Sequence, residues 1–112
     1  MEMTTARQDG VLSIMVVGRI DGSNAIEFQE AIRTSIDDRD RAMIMDCTEV
    51  SYIASAGLRA VLTTAKNLSN KNMRFALCAL SDHVFEIFEK SGFDQIISIH
   101  LSKADALVSL GR

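Results

Sequence analysis

The chain has 112 residues, 47% of them hydrophobic and 24% charged, with a formal net charge of −3. That balance suits one globular domain over residues 1–112, large enough to bury a core without disulfides or a structural metal. An acidic chain with no run of Lys or Arg is a poor nucleic-acid binder, because neutralising phosphates takes a basic face. No apolar stretch approaches the ~20 residues of a membrane span. Residues Met1–Gly10 are polar and lack the apolar core of a signal peptide. A cytoplasmic, reduced protein that neither binds nor crosses a membrane is expected. Cys47 and Cys78 stand within or beside apolar runs, which predicts buried free thiols. No CxxC or Cys/His spacing points to a metal.

The chain then divides as follows. Met1–Thr5 is either a loose start or part of a first strand. Arg7-Gln8-Asp9-Gly10 reads as a turn, Asp-Gly being the hairpin signal. Val11–Val17 is an apolar strand, and Gly18-Arg19-Ile20-Asp21-Gly22-Ser23 breaks it. Ser23 or Asn24 is placed to cap the next helix, and Glu27 suits its positive end. Ala25, Phe28, Ile32 and Ile36 give that helix one apolar face. Asp37–Arg41 is a charged loop. Ala42-Met43-Ile44-Met45 is a continuous apolar run, as in a strand buried on both faces. A second helix begins near Ser55, with Leu58, Val61, Leu62, Ala65 and Leu68 on its inner face, and ends at Asn70-Lys71-Asn72. Arg74–Leu80 is a strand. Asp82 caps a third helix carrying Val84, Ile87 and Phe88. Gly92 stands where a left-handed C-terminal cap belongs. Ile96–Ile99 is a last strand. Ser102 caps a final helix with Ala106, Leu107 and Leu110.

Strands that alternate with helices after an opening hairpin call for parallel pairing through right-handed crossovers. The predicted fold is α/β: a mixed sheet of four to five strands with about four helices, antiparallel at the hairpin and parallel elsewhere.

The most informative stretch is DCTEVSYIASAGLRAVL, Asp46–Leu62. A buried strand runs out into a loop, and Ser55 stands at a helix start. Helix starts carry unpaired N–H groups and a partial positive charge, so a phosphate there meets donors and a favourable potential. Ala54, Ala56 and Gly57 are small neighbours that leave the hydroxyl open. Spacing alone is equally met by a serine that caps the helix. Likewise Asp21 alone reads as a turn residue, and Asp46 as a carboxylate bonding nearby loop N–H groups. Arg59 reads as an exposed helix residue, and Phe85, off the third helix's stripe, as a second core contact or an exposed partner contact.

IASAGLRAVL, Ile53–Leu62, resembles the helix-start motif of STAS domains, the bacterial anti-sigma-factor antagonists. VVGRIDGSNA, the strand IMDCTEVSYI and the later SGFDQIISI carry the resemblance over most of the chain. It implies that a partner kinase phosphorylates Ser55 and that Asp21 lies beside it in the partner surface. The implied surface joins Asp21, Ser23 and Asn24 to Ala54, Ser55, Ala56 and Gly57, with Arg59 on its rim. The family often has an acid before the serine and a second serine after it. Here Ala54 and Ala56 take those places, which leaves Ser55 the sole hydroxyl of that turn.

The resemblance implies an anti-sigma-factor antagonist in a partner-switching pathway. Its partners would be an anti-sigma serine kinase of the GHKL type, bound when Ser55 is unmodified and released on phosphorylation, and a PP2C-type phosphatase. A STAS module regulating a phosphatase, a secretion system or a transporter-associated assembly is the alternative. No cofactor, metal or catalytic residue is expected. A hydrolase built on Ser55, His83 and Asp46 would lack the G-x-S-x-G nucleophile elbow, and His83 and His100 read as capping or surface residues. GxGxxG and GxxxxGK[ST] nucleotide loops are missing.

Overall fold

The structure, a computed structural model, describes residues 1–111. Asp9 and Gly10 both have positive φ, 55° and 80°, which is what a two-residue type I′ turn requires. The turn joins β1 (Glu2–Gln8) to β2 (Val11–Ile20), antiparallel, with Gln8 opposite Val11. The polar opening residues therefore form a strand. α1 (Ala25–Ser35) carries the chain to β3 (Ala42–Asp46), which pairs parallel with β2. β4 (Val50–Ile53) follows, then α2 (Ser55–Asn70), β5 (Arg74–Cys78), α3 (Asp82–Lys90), a 3₁₀ turn at Phe93–Gln95, β6 (Ser98–His100) and α4 (Lys103–Ser109). The sheet order is β1-β2-β3-β5-β6, all parallel after the hairpin, while β4 pairs with β2 off this path.

The mixed sheet with four helices is the predicted architecture, with six strands in place of four to five. The difference lies at Gly18. Glycine there does not end β2 but lets it continue, at φ 97°. The last residues of β2 then pair with β4: Gly18 faces Val50 and Ile20 faces Ile53. Thus β2 serves two neighbours in succession, β3 along its first half and β4 along its second. Two smaller corrections concern ends. Ser81, not Asp82, caps α3, its hydroxyl accepting from Val84 N at 3.2 Å. The last strand begins at Ser98, because Ile96 and Ile97 both donate to Phe93 O in the preceding turn. Ser102 caps α4 as expected, and Gly92 is left-handed at φ 79°.

Strand β3 is central and buried on both faces, as its unbroken apolar run requires. On one face Met43 and Met45 join Leu12, Ile14, Val16 and Ile20 of β2 beneath Phe28 and Ile32 of α1, Val61 and Leu68 of α2, and Phe88 of α3. On the other, Ala42 and Ile44 lie with Val11, Ala76 and Cys78 under Ala106 of α4 and Leu110, the residue that ends that helix. Leu62 does not join the first cluster. The inner face of α2 is Gly57, Ala60, Val61, Thr64 and Leu68, and Leu62 is only half-buried. At 100° per residue Leu62 shares the outward stripe of Ser55 and Arg59, at i+7 and i+4 from the serine.

Two contacts fix the loops. Asp40 is buried and takes both arms of Arg7, Nε at 2.9 Å and Nη2 at 3.0 Å. Its second oxygen also accepts from Asp37 N at 2.9 Å. At the other end Gly57 meets the backbone of β2: a Cβ there would lie 2.6 Å from Ile20 O and 2.8 Å from Ile53 Cγ1. Only a residue without a side chain lets α2 start where it does.

Gly57→Ala should therefore destabilise by about 1–3 kcal/mol through steric crowding, although alanine is the better helix former by about 1 kcal/mol. Urea unfolding gives the sign directly, and an unchanged or raised midpoint contradicts the close approach. Acid should act through the Asp37–Arg41 loop. Arg39 holds the Asp37 carboxyl down to about 2, and Arg7 holds that of Asp40 below its usual value. Lowered carboxyl pKa values stabilise the fold above the unfolded-state value of about 3.9. That contribution is lost as pH falls through the folded values, so urea midpoints should hold from pH ~7 to ~5 and fall between pH ~4 and ~2.

Candidate functional site

Parallel strands all end at one edge of a sheet, and ligand or partner sites gather there. At this edge β2 and β4 end side by side: Ile20 pairs with Ile53, and Ala54 N donates to Ile20 O at 2.9 Å. The two turns that follow, Asp21–Asn24 into α1 and Ala54 into α2, are thereby neighbours.

Asp21 organises the first turn. Its Oδ1 accepts from Ser23 N at 3.0 Å and from Ser23 Oγ at 2.6 Å, while Arg19 Nε donates to its Oδ2 at 3.3 Å. The bonds from Ser23, followed by the cation, hold its carboxyl below the ordinary carboxylate value. Asn24 is the N-cap position of α1 but its side chain caps nothing. Its Oδ1 accepts from Asp21 N at 2.9 Å and its Nδ2 donates to Arg19 O at 2.8 Å. Ser23 spends its hydroxyl on Asp21. Neither residue fills the capping role its position suggested, because the turn uses both side chains to close on itself. The backbone carbonyl of Asp21 takes Ala25 N at 2.8 Å instead.

Ser55 is the first residue of α2, and Ala54, in extended backbone, is the N-cap. The Ser55 side chain is exposed, and no hydrogen bond holds its hydroxyl among the described residues. The capping account of this serine therefore fails. Serine one position inside the helix cannot accept from the N2 and N3 amides as an N-cap does. The helix runs 16 residues with no acid in its first turn, so no residue of the helix itself offsets the positive potential at its start. Ala54 and Ala56 are half-buried and Gly57 is buried, while Arg59 is exposed one turn on. Gly57 thus acts through the backbone it lets approach.

Three residues near this edge carried no signal in the sequence pattern. Ile26 is 78% exposed in the first turn of α1, one residue off the Ala25/Phe28/Ile32 stripe. Tyr52 stands on β4 opposite Arg19, and the Arg19 guanidinium lies 4.8 Å from the centre of its ring. His83, at the start of α3, stacks on Tyr52 with ring centres 5.8 Å apart and planes 22° apart. The pairing skips Ser51, an irregularity at Gly18/Arg19 of the kind that re-aims side chains at strand ends. Alternation of strand residues hints only that Arg19 and Tyr52 face away from Ile20 and Ile53.

Ser55, His83 and Asp46 are not joined into a triad by any hydrogen bond among the described residues. Asp46 accepts from Thr48 N at 3.0 Å and Thr48 Oγ1 at 2.6 Å, His83 stacks on Tyr52, and His100 Nε2 meets Ser98 Oγ at 2.7 Å. Phe85 is 37% exposed on the lip of α3, which favours the exposed reading of that position. Cys47 and Cys78 are buried free thiols. Burial raises both pKa values, that of Cys78 to about 11.

The pattern that defines the STAS domain family matches residues 2–106. The chain belongs to that family. BtrV of Bordetella bronchiseptica, which bears the name of an anti-sigma factor antagonist, is 35% identical over 106 residues, 95% of this chain and 91% of its own. The anti-sigma-B factor antagonist of Listeria monocytogenes is 34% identical over 88 residues, 79% of this chain and 77% of its own. Among solved structures, an anti-sigma factor antagonist from Mycobacterium paratuberculosis superposes with a TM-score of 0.86 at 25% identity, over 99% of this chain and 96% of that one. In this STAS domain no helix of the described residues is long and apolar enough to cross a membrane.

The free hydroxyl has a direct consequence. Ser55→Ala should change unfolding free energy by no more than about 0.5 kcal/mol, the range for exposed positions, rather than the ~0.5–2 kcal/mol of a lost cap. A larger loss in urea titrations would show that the hydroxyl holds the helix start.

Proposed function

We propose that this STAS domain is an anti-sigma-factor antagonist working by partner switching in the cytoplasm. The observation that carries the reading is Ser55: an exposed hydroxyl without a hydrogen bond among the described residues, on the first residue of a long helix, beside the Asp21 turn. In its unmodified form the surface of Asp21, Ser23, Asn24 and the Ala54–Gly57 turn, with Arg59 on its rim, binds an anti-sigma serine kinase of the GHKL type. The sigma factor is thereby released. The kinase then transfers phosphate. The Ser55 oxygen attacks the γ-phosphorus of ATP, the bond to the β-γ bridging oxygen breaks, ADP leaves, and the hydroxyl proton passes to a base of the kinase. A PP2C-type phosphatase restores the serine by hydrolysis.

The physics of release is local. A phosphate adds a charge of about −1.5 to −2 and three acceptor oxygens. The helix start and Arg59, one turn away, stabilise that charge on the free chain. Within the complex the same group is desolvated between the Asp21 carboxylate and an acidic surface of the partner, and like-charge juxtaposition across an interface costs several kcal/mol. At tenfold per ~1.4 kcal/mol this is enough to empty the complex without refolding either protein.

The test uses a GHKL-type anti-sigma kinase from the same organism with ATP. One phosphate should appear, mapped to Ser55 by mass spectrometry. Ser55→Ala should bind the kinase persistently and Ser55→Asp more weakly than wild type. Phosphate on Ser51 in place of Ser55, or equal affinity of all three forms, removes Ser55 from the mechanism.

A further inference from the structure

Beyond the Ser55 turn the same edge carries a second assembly, in which Arg19, Tyr52 and His83 form one stacked ladder across β2, β4 and α3. Its end member is a cation whose side chain is 60% exposed. Arg19 spends one donor, Nε, on Asp21. A guanidinium has five N–H donors in a planar fork, so its terminal amino groups remain unpaired among the described residues. The guanidinium carbon stands over the Tyr52 ring, 4.8 Å from its centre, and Tyr52 in turn stacks with His83. A side chain held this way has already lost most of the freedom that binding would cost it. The irregular pairing that skips Ser51 is what sets Arg19 over Tyr52. A strand interruption that exposes and orients a charge does nothing for the core.

We infer that Arg19, held over the Tyr52 ring, is a docking residue that takes a carboxylate of the kinase that phosphorylates Ser55, and that it governs capture rather than phosphoryl transfer. The inference rests on the Ser55 reading given above. The ligand class follows from the fork: two parallel N–H groups match the two oxygens of a carboxylate. The partner follows from place. Arg19 grips Asp21, Asp21 shapes the turn beside Ser55, and a protein seated on that turn covers Arg19 too. Arginine and tyrosine are both enriched among the side chains that dominate interface binding energy. Arg19 therefore adds a contact whose charge is opposite to that of phosphate, which phosphorylation leaves intact.

A purely local role, bracing Asp21, gives different numbers. Asp21 keeps both bonds from Ser23 when Arg19 is removed, so the turn should survive. The experiment measures initial rates of Ser55 phosphorylation by the GHKL-type kinase against chain concentration, for wild type, Arg19→Ala, Arg19→Lys, Arg19→Glu and Tyr52→Ala, with melting curves for each. Arg19→Ala should raise KM about tenfold, as a lost interface anchor does, with kcat and melting temperature unchanged. Arg19→Lys should recover only part of this, since it restores charge without the fork or the stack. Arg19→Glu should be worse than alanine, and Tyr52→Ala should move KM the same way by freeing the guanidinium. The wild-type KM should rise with salt and that of Arg19→Ala much less. An unchanged KM in folded Arg19→Ala and Arg19→Glu overturns the inference while leaving Ser55 as the switch, and so does a loss confined to kcat. If the wild-type chain takes no phosphate at Ser55, both readings fall together.

Discussion

The close approach of Gly57 to Ile20 is the constraint on which the edge of this molecule depends. A side chain at position 57 would sit 2.6 Å from a backbone oxygen. With hydrogen there instead, the first turn of α2 closes onto the last residues of β2. That contact fixes the helix axis relative to the sheet and, with Ala54 N bonded to Ile20 O, brings two loops together that are separated by some thirty positions in the chain. Everything said of the Ser55 surface follows from it. The serine is exposed because the face of α2 opposite it is the one drawn down onto the sheet.

The electrostatics of the edge are arranged in two tiers. The Asp21 turn is closed on itself by four side-chain bonds, from Ser23 to Asp21 and through Asn24, and so keeps its shape without a partner. The start of α2 is the reverse: no acid stands in its first turn, and its hydroxyl has no partner among the described residues. A rigid acidic turn next to an unfilled anion-favouring helix start is a surface whose preference changes sign when an anion is added. Such a surface needs no moving segment, only a charge, and rigid-body recognition is the ordinary mode of pre-formed interfaces.

Much of this was legible in the amino-acid order, and the failures are instructive. Ala42–Met45 read as a strand buried on both faces because no polar residue interrupts it. The Asp9-Gly10 turn, the start of α2 at Ser55 and the Gly92 cap were equally plain, since each depends on backbone chemistry local to a few residues. What failed depended on distant neighbours. Gly18 reads as a strand breaker until β4 is seen lying beside it, and a four-residue strand such as β4 offers too short a pattern to stand out. Leu62 reads as a core residue on a helix rich in leucine, whereas the face drawn onto the sheet is Gly57, Ala60, Val61, Thr64 and Leu68, with the smallest residues in the first turns, where the helix approaches β2 most closely. Ser23 and Asn24 are good caps by type, and their loss to Asp21 is a matter of competition within one turn. The Arg19–Tyr52–His83 ladder, made by three separate elements, has no signature in any one of them.

The idle hydroxyl of Ser55 separates two quantities that most modified side chains tie together. A group that caps a helix or bridges a loop alters the folded population when it is modified, and the altered population then meets chaperones and proteases differently. Ser55 has no such duty to give up. A phosphate there gains the helix start and Arg59 and breaks no bond among the described residues, so the phosphorylated chain should be cleared no faster than the unmodified one. Signalling would then redistribute the pool between two forms without draining it.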